Sequence, residues 1–260
     1  VFGLPWHIVL PTLLGSVLVG LLSSFVGIFV VRMKLSSLGF AMSHAAFAGA
    51  ALGLLFPLID PMWMALVFSL VAAVLLGPLA DVSRLQTDTI LGVLFPVSMA
   101  LGLIFVHQAP GGAAGGALTL LWGSVLGITM EQVWTLAAVA LGLVLLMIGW
   151  GKGFFALLLD RKLAQASGLP TRWYFYTVLV MTAVVVSISL RITGGLLIYA
   201  LTVLPASSAF QWVYDVKKAF LVAPLLGASA AIGGFGLSLG ADLPIGSSIA
   251  VCAAAVFILS

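Results

Sequence analysis

The sequence predicts an all-α membrane protein, a polytopic helical bundle of about nine spans, or eight if one segment is re-entrant. Three observations carry that expectation. Of 260 residues, 63% are hydrophobic and 7% charged, with mean hydropathy +1.32, whereas a soluble domain carries roughly a quarter charged residues. The apolar runs approach twenty residues, long enough to cross a hydrocarbon layer of ~30 Å as helices, and they lack the period-2 alternation of a barrel. Nine of the ten basic residues fall in alternate breaks between those runs.

Taken in order, the first run is Leu10–Val31, closed by Arg32 and Lys34. Ser37–Phe56 follows, with one histidine, His44, among small and apolar residues. Met62–Leu79 precedes Arg84, and Thr89–Val106 opens after Asp88, which reads as a helix cap. Gln132–Gly149 stops before Lys152, and Trp173–Leu190 lies between Arg172 and Arg191. Gly194–Gln211 contains Pro205, which should kink the span or free a carbonyl that Ser207 and Ser208 could satisfy locally. Ala219–Gly240 follows Lys217 and Lys218, and Pro244–Ser260 is last.

These runs form one transmembrane domain over residues 1–260, with no extended soluble domain in the loops. Only Arg191 lies opposite the other cations, so the positive-inside asymmetry places the N-terminus outside and the C-terminus in the cytoplasm. Trp6, Trp63, Trp122, Trp134, Trp150, Trp173 and Trp212 fall at or near the span ends, as interfacial anchors do. The net charge of +3 belongs to a face meeting anionic lipid and does not point to nucleic acid. Cys252 is alone, so no disulfide framework exists. The sequence opens at Val1 without a start methionine or a cleavable signal pattern, so an end of the protein can lie outside it.

Two loops depart from the pattern. Between His107 and Glu131, APGGAAGG precedes ALTLLWGSVLGIT, which predicts a short outer helix dipping partway into the membrane. The inner loop reads LLLDRKLAQASGLPTRW, where Asp160 is an N-cap, Arg161 to Ser167 a short helix, and Gly168 with Pro170 a stop. A capped helix at that surface suits a docking element.

The acids Asp60, Asp81, Asp88, Glu131, Asp160, Asp215 and Asp242 all fall at span ends or in loops. An ion-coupled carrier usually keeps carboxylates or other ionisable groups in its interior, and no carboxylate is placed there. The chain also lacks the G-x-x-x-x-G-K-[ST] phosphate loop, so it cannot itself cradle ATP in the usual way. Uphill movement of a solute would therefore draw on another subunit.

The order of segments resembles the membrane subunit of bacterial ATP-binding-cassette importers for zinc and manganese, the metal-type permease family. The likeness runs through VGIFVVRMKLSSLGFAMSHAAFAG, DTILGVLFPVSMALGLIF, LLWGSVLGIT, LLLDRKLAQASGLP and ITGGLLIYALTVLPASSAF. It implies a homodimer in the bacterial inner membrane that docks on an ATPase subunit and receives its cargo from an extracytoplasmic solute-binding protein. ATP would sit on the partner, and this chain would hold no cofactor and catalyse no covalent chemistry. The docking residues implied are Asp160, Leu163, Ala164 and Gly168.

Similar permeases carry G-D-x-x-[SA]-H, an acid and a histidine on one helix face that could give O and N donors to a metal. Here Gly39, Phe40, Ala41, Met42, Ser43 and His44 occupy the motif, so the acid is replaced by Phe40. His44 is then a metal ligand, a gate residue, or an imidazole bonded to a backbone carbonyl or neighbouring hydroxyl. Phe40, Phe47 and Ala48 share its face, and Ser43, Phe40, Phe47 and Pro205 are candidates for the pathway or gate. Ala41, Ala45, Gly49 and Gly53 form a small-residue stripe for close helix approach. The expectation is an importer permease for a divalent transition metal working by alternating access. The rivals are an importer for a metal chelate or small solute, a channel or facilitator, and an intramembrane enzyme. The last is disfavoured because Ser43 and His44 point ~100° apart on a helix.

Overall fold

A computed structural model describes residues 6–56, 58–83, 85–109 and 128–260. Among them the chain forms ten α-helices and no strand: α1 (Trp6–Arg32), α2 (Leu38–Gly53), α3 (Pro61–Ser83), α4 (Thr87–Gln108), α5 (Met130–Leu159), α6 (Arg161–Ala166), α7 (Thr171–Thr193), α8 (Gly195–Trp212), α9 (Val216–Ala241) and α10 (Ile245–Leu259). Each apolar run read from the sequence falls on one helix. Six of these helices, α1, α3, α4, α5, α7 and α9, are long and apolar enough to cross a membrane, whereas α2 and α10 are shorter apolar helices. The predicted outer re-entrant helix lies outside the described residues.

α5 runs ten residues past the boundary at Gly149 that the sequence suggests. Two glycines and Lys152 read as a break, but packing overrides helix propensity there. A Cβ at Gly153 would collide with the Tyr174 ring, so this glycine lets α7 come close. Phe154 beside it is fully buried, edge-on to Phe29 and Tyr174, while Lys152 stays exposed. Trp150 consequently sits within the helix and not at its end.

α1 and α7 form the centre of the bundle, since about two thirds of each apolar window is buried, against about a fifth for α3, α4 and α5. α1 packs on α9, α8, α7 and α5, and α2 packs on α3, α4, α7 and α8. Small residues permit these approaches. A Cβ at Gly20 would strike the backbone of Gly227, and one at Gly27 the backbone of Thr202.

The described acids sit at helix ends. Asp160 and Asp215 cap α6 and α9, Asp60 Oδ1 accepts the Met62 N–H, Glu131 lies in the first turn of α5, and Asp242 ends α9 in a left-handed conformation.

Pro205 lies inside α8, where its missing N–H leaves the carbonyl of Leu201 without a helical donor. The partner is not the local pair expected from the sequence. Ser24 Oγ, on α1, donates to Leu201 O at 3.0 Å in the buried interior, while Ser208 Oγ bonds Leu204 O. Ser24→Ala should cost about 1–2 kcal/mol, because it orphans a buried acceptor. In a Pro205→Ala background the restored N–H can take that carbonyl, and the same substitution should cost a few tenths of a kcal/mol, roughly. Thermal unfolding of the four variants in detergent checks this, and equal costs in both backgrounds would break the link between proline and serine.

Candidate functional site

The site is built on α2, whose small residues let neighbours crowd it from several sides. A Cβ at Gly49 would meet the Met64 backbone of α3, one at Gly53 would meet Pro61, and one at Gly102 of α4 would meet the Phe47 ring. α8 begins against the same helix, with Gly195 set so that a Cβ would lie 3.2 Å from Ser43 Oγ. The predicted small-residue stripe thus seats α3.

His44 is 8% exposed. Its Nδ1 lies 2.9 Å from the carbonyl oxygen of Phe40, one turn back on the same helix. A carbonyl only accepts, so Nδ1 carries the proton in this contact and Nε2 is left with the lone pair. Nε2 has no hydrogen-bond partner among the described residues. Ser43 Oγ donates to the same Phe40 carbonyl at 2.8 Å, the backward bond expected of a helical serine.

Two rings flank the imidazole, and a third, from another helix, packs on one of them. Phe40 on α2 stands 4.5 Å from His44 between centroids, and Phe95 on α4 stands 4.6 Å from it, edge to face at 87°. Phe40 also packs against Phe95 at 4.5 Å and against Tyr199 on α8 at 5.4 Å. Phe47, placed on this face by the sequence, is fully buried against Gly102 and fills the α2–α4 contact. Met42 is likewise core. Pro205 lies on α8 beyond Tyr199.

Phe95 and Tyr199 are the members that sequence reasoning misses. Nothing local marks them, because their role follows from which helices meet. Asp88 also differs from its reading as a cap: Gln86 is the N-cap of α4, and Asp88 Oδ1 accepts the backbone N–H of Ser37 at 3.3 Å.

Chemically the cluster is an apolar seal around one imidazole nitrogen. Among the described residues no group of three or more His, Cys, Asp or Glu side chains could hold a metal. One nitrogen donor falls short of the three or four protein ligands that zinc takes, so a single chain does not fit a tightly held ion here.

At the end of the bundle bearing Arg32 and Lys34, α6 is held in a defined pose. Asp160 Oδ1 accepts the N–H groups of Lys162 at 2.7 Å and Leu163 at 3.1 Å. Gly168, at φ 81°, closes the helix through bonds from its own N–H to Gln165 O and from Leu169 N–H to Ala164 O. Ala164 is buried and Leu163 is 68% exposed. At the opposite end, Asp60, Met62, Thr129, Glu131, Gln132, Thr135 and Ile188 line an open cleft of about 270 Å³.

The sequence profile of the ABC 3 transport family matches residues 6–260. The manganese import system permease protein ScaB of Streptococcus gordonii is 26% identical over 98% of this chain and 91% of its own length. The high-affinity zinc uptake system membrane protein ZnuB of Haemophilus influenzae is 26% identical over 98% of this chain and 97% of its own. Among solved structures, PsaBC from Streptococcus pneumoniae in complex with Fab superposes with TM-score 0.86 at 27% identity, covering 98% of this chain and 91% of that one.

Proposed function

The chain belongs to the ABC 3 transport family, and from that premise we propose that it is the permease subunit of an ATP-driven importer for a divalent transition metal of the manganese or zinc type. The observation that carries the proposal is the family match over nearly the whole chain, joined by relatives named for manganese and zinc transport. The acid-free helix interiors and the lack of a phosphate loop agree with it, since the driving force must then come from a separate ATPase.

In this reading the chain is a multi-pass protein of the bacterial inner membrane, crossing it about nine times with α2 and α10 as short crossings. Its N-terminus is outside and the Arg32 end is cytoplasmic. A second copy completes the translocation unit. α6 docks on the ATPase through Leu163, with Asp160, Ala164 and Gly168 fixing its pose, and an extracytoplasmic binding protein delivers cargo at the cleft holding Asp60 and Glu131. ATP-driven closure of the partner ATPases shifts the pair between outward-open and inward-open states. Phe40, Phe95 and Tyr199 close the path about His44, with Ser43 and Phe47 packing behind them and Pro205 setting the bend of α8.

One observation favours a second cargo. Phe40 stands where similar permeases carry an acid, which suits a metal chelate or another small solute that brings its own donors. Reconstituted permease with its ATPase and binding protein should hydrolyse ATP faster with one of manganese, zinc, iron or cobalt, by about threefold or more if cargo binding shifts the equilibrium by ~0.7 kcal/mol. A flat response to every cation would overturn the metal reading in favour of the chelate.

A further inference from the structure

The cytoplasmic turn 33–37 is bonded to two helices that are distant in sequence. On one side, Arg32 Nε donates to Leu158 O at 3.1 Å. Leu158 is in the last turn of α5, two residues before the cap of α6, where carbonyls have no partner within the helix. On the other side, Asp88 Oδ1 takes the N–H of Ser37, the N-cap of α2. The turn between these bonds is braced by its own backbone: Lys34 N–H to Val31 O, Leu35 N–H to Val30 O and, at its exit, Leu38 N–H to Leu35 O, with Lys34 in the left-handed region at φ 57°.

The second bond also fixes a register. His44 lies seven residues into α2 from Ser37, and Phe95 seven residues into α4 from Asp88. Seven residues are two turns, which return to nearly the same helix face. Pinning Asp88 to Ser37 therefore sets the two rings beside each other, and they stand 4.6 Å apart. α6 packs on α5 and α7, and a cleft of about 250 Å³ lined by Arg32, Thr87 and Asp160 lies between its start and the turn. The hydrogen bonds bridge where side-chain packing is incomplete.

We propose that the turn 33–37 transmits displacement of α6 to the aromatic cluster, with Arg32 and Asp88 as its two positioning residues. The proposal rests on α6 being the ATPase-docking helix. Arg32 couples the turn to the end of α5 that carries α6, and Asp88 makes α4 move with α2. Being links in series, they should not add: losing either should cost as much as losing both.

The test uses the full permease–ATPase complex in liposomes, with spin labels on Phe56→Cys, just past the far end of α2, and Gln108→Cys, the last residue of α4, in a Cys252→Ser background. Trapping with ATP and vanadate should change the label distance in the parent complex. Arg32→Leu and Asp88→Ala should each cut the amplitude at least threefold while the ATPase still co-purifies and hydrolyses ATP. The double variant should lose no more than the worse single. Asp88→Asn keeps an acceptor oxygen and should keep the change, which separates a bonding role from a charge role. Full amplitude in both single variants, additive losses, or an Asp88→Asn variant as impaired as Asp88→Ala would overturn the proposal. Failure of the parent to bind the ATPase would remove the docking premise instead, and with it the transmission. Circular dichroism melts accompany each variant, and the two single substitutions lie on different helices, so misfolding of one leaves the other to decide.

Discussion

Leu163→Asp should abolish assembly with the ATPase while leaving the permease folded. Leu159 at the end of α5 and Leu163 in α6 are each 68% exposed at the end of the bundle bearing Arg32. Burying such a leucine in a partner contributes about 1.5–3 kcal/mol, and a carboxylate forfeits that and must be desolvated without a partner. The loss corresponds to at least ~10²-fold in affinity. The permease itself should be little affected, because the substituted side chain has few contacts to lose. Asp160→Ala is the milder comparison: it removes one cap, worth ~1 kcal/mol, and should weaken docking about tenfold or less. The check is the ATPase-to-permease ratio after affinity purification, alongside the melting temperature. Stoichiometric ATPase on the Leu163→Asp variant would move the docking surface off α6.

How far the sequence reaches depends on whether a feature is local. Runs of apolar residues between charges locate the long helices, because hydrophobic length and charge placement are properties of a single segment. The caps of α6 are legible for the same reason: Asp160 and Gly168 act on the backbone within a few residues of themselves. The end of α5 is not, since Gly151 and Gly153 look like breakers until Tyr174 of another helix is seen to need the space beside Gly153. Ser24 looks like one more small residue of α1, and only the proximity of α8 makes it the donor to the carbonyl that Pro205 frees. In the candidate site, the Phe40–His44 pair follows from an i, i+4 spacing, but Phe95 and Tyr199 enter from helices whose neighbours a single sequence does not specify. Asp88 is the instructive case. Its position at a helix start explains it adequately by the macrodipole, so no local argument asks for the bond to Ser37.

Phe40→Asp should convert the aromatic seal into a metal-retaining site. The Phe40 and His44 rings stand 4.5 Å apart on one helix face, and His44 Nδ1 is occupied by the Phe40 backbone carbonyl, which a side-chain substitution leaves in place. Nε2 is thus the available nitrogen in either variant, and the aspartate supplies an anionic oxygen beside it. Nitrogen with carboxylate oxygen suits manganese or zinc. A second, charged donor should tighten retention by about tenfold or more, equivalent to ~1.4 kcal/mol or above. The buried carboxylate costs stability when no cation is present, so the variant should melt lower than the parent without metal and recover when manganese or zinc is added, as linkage requires. Phe40→Asn supplies a neutral oxygen of the same size and should gain little, which separates charge from shape. Phe40→Leu removes the ring without adding a donor and should loosen the seal against Phe95 and Tyr199 while retaining no more metal than the parent. Metal content by mass spectrometry after dialysis, with melts taken with and without added ion, measures all four proteins. Equal retention in Phe40→Asp and the parent would show that His44 Nε2 does not face the path, and the gate would then have to be sought away from α2.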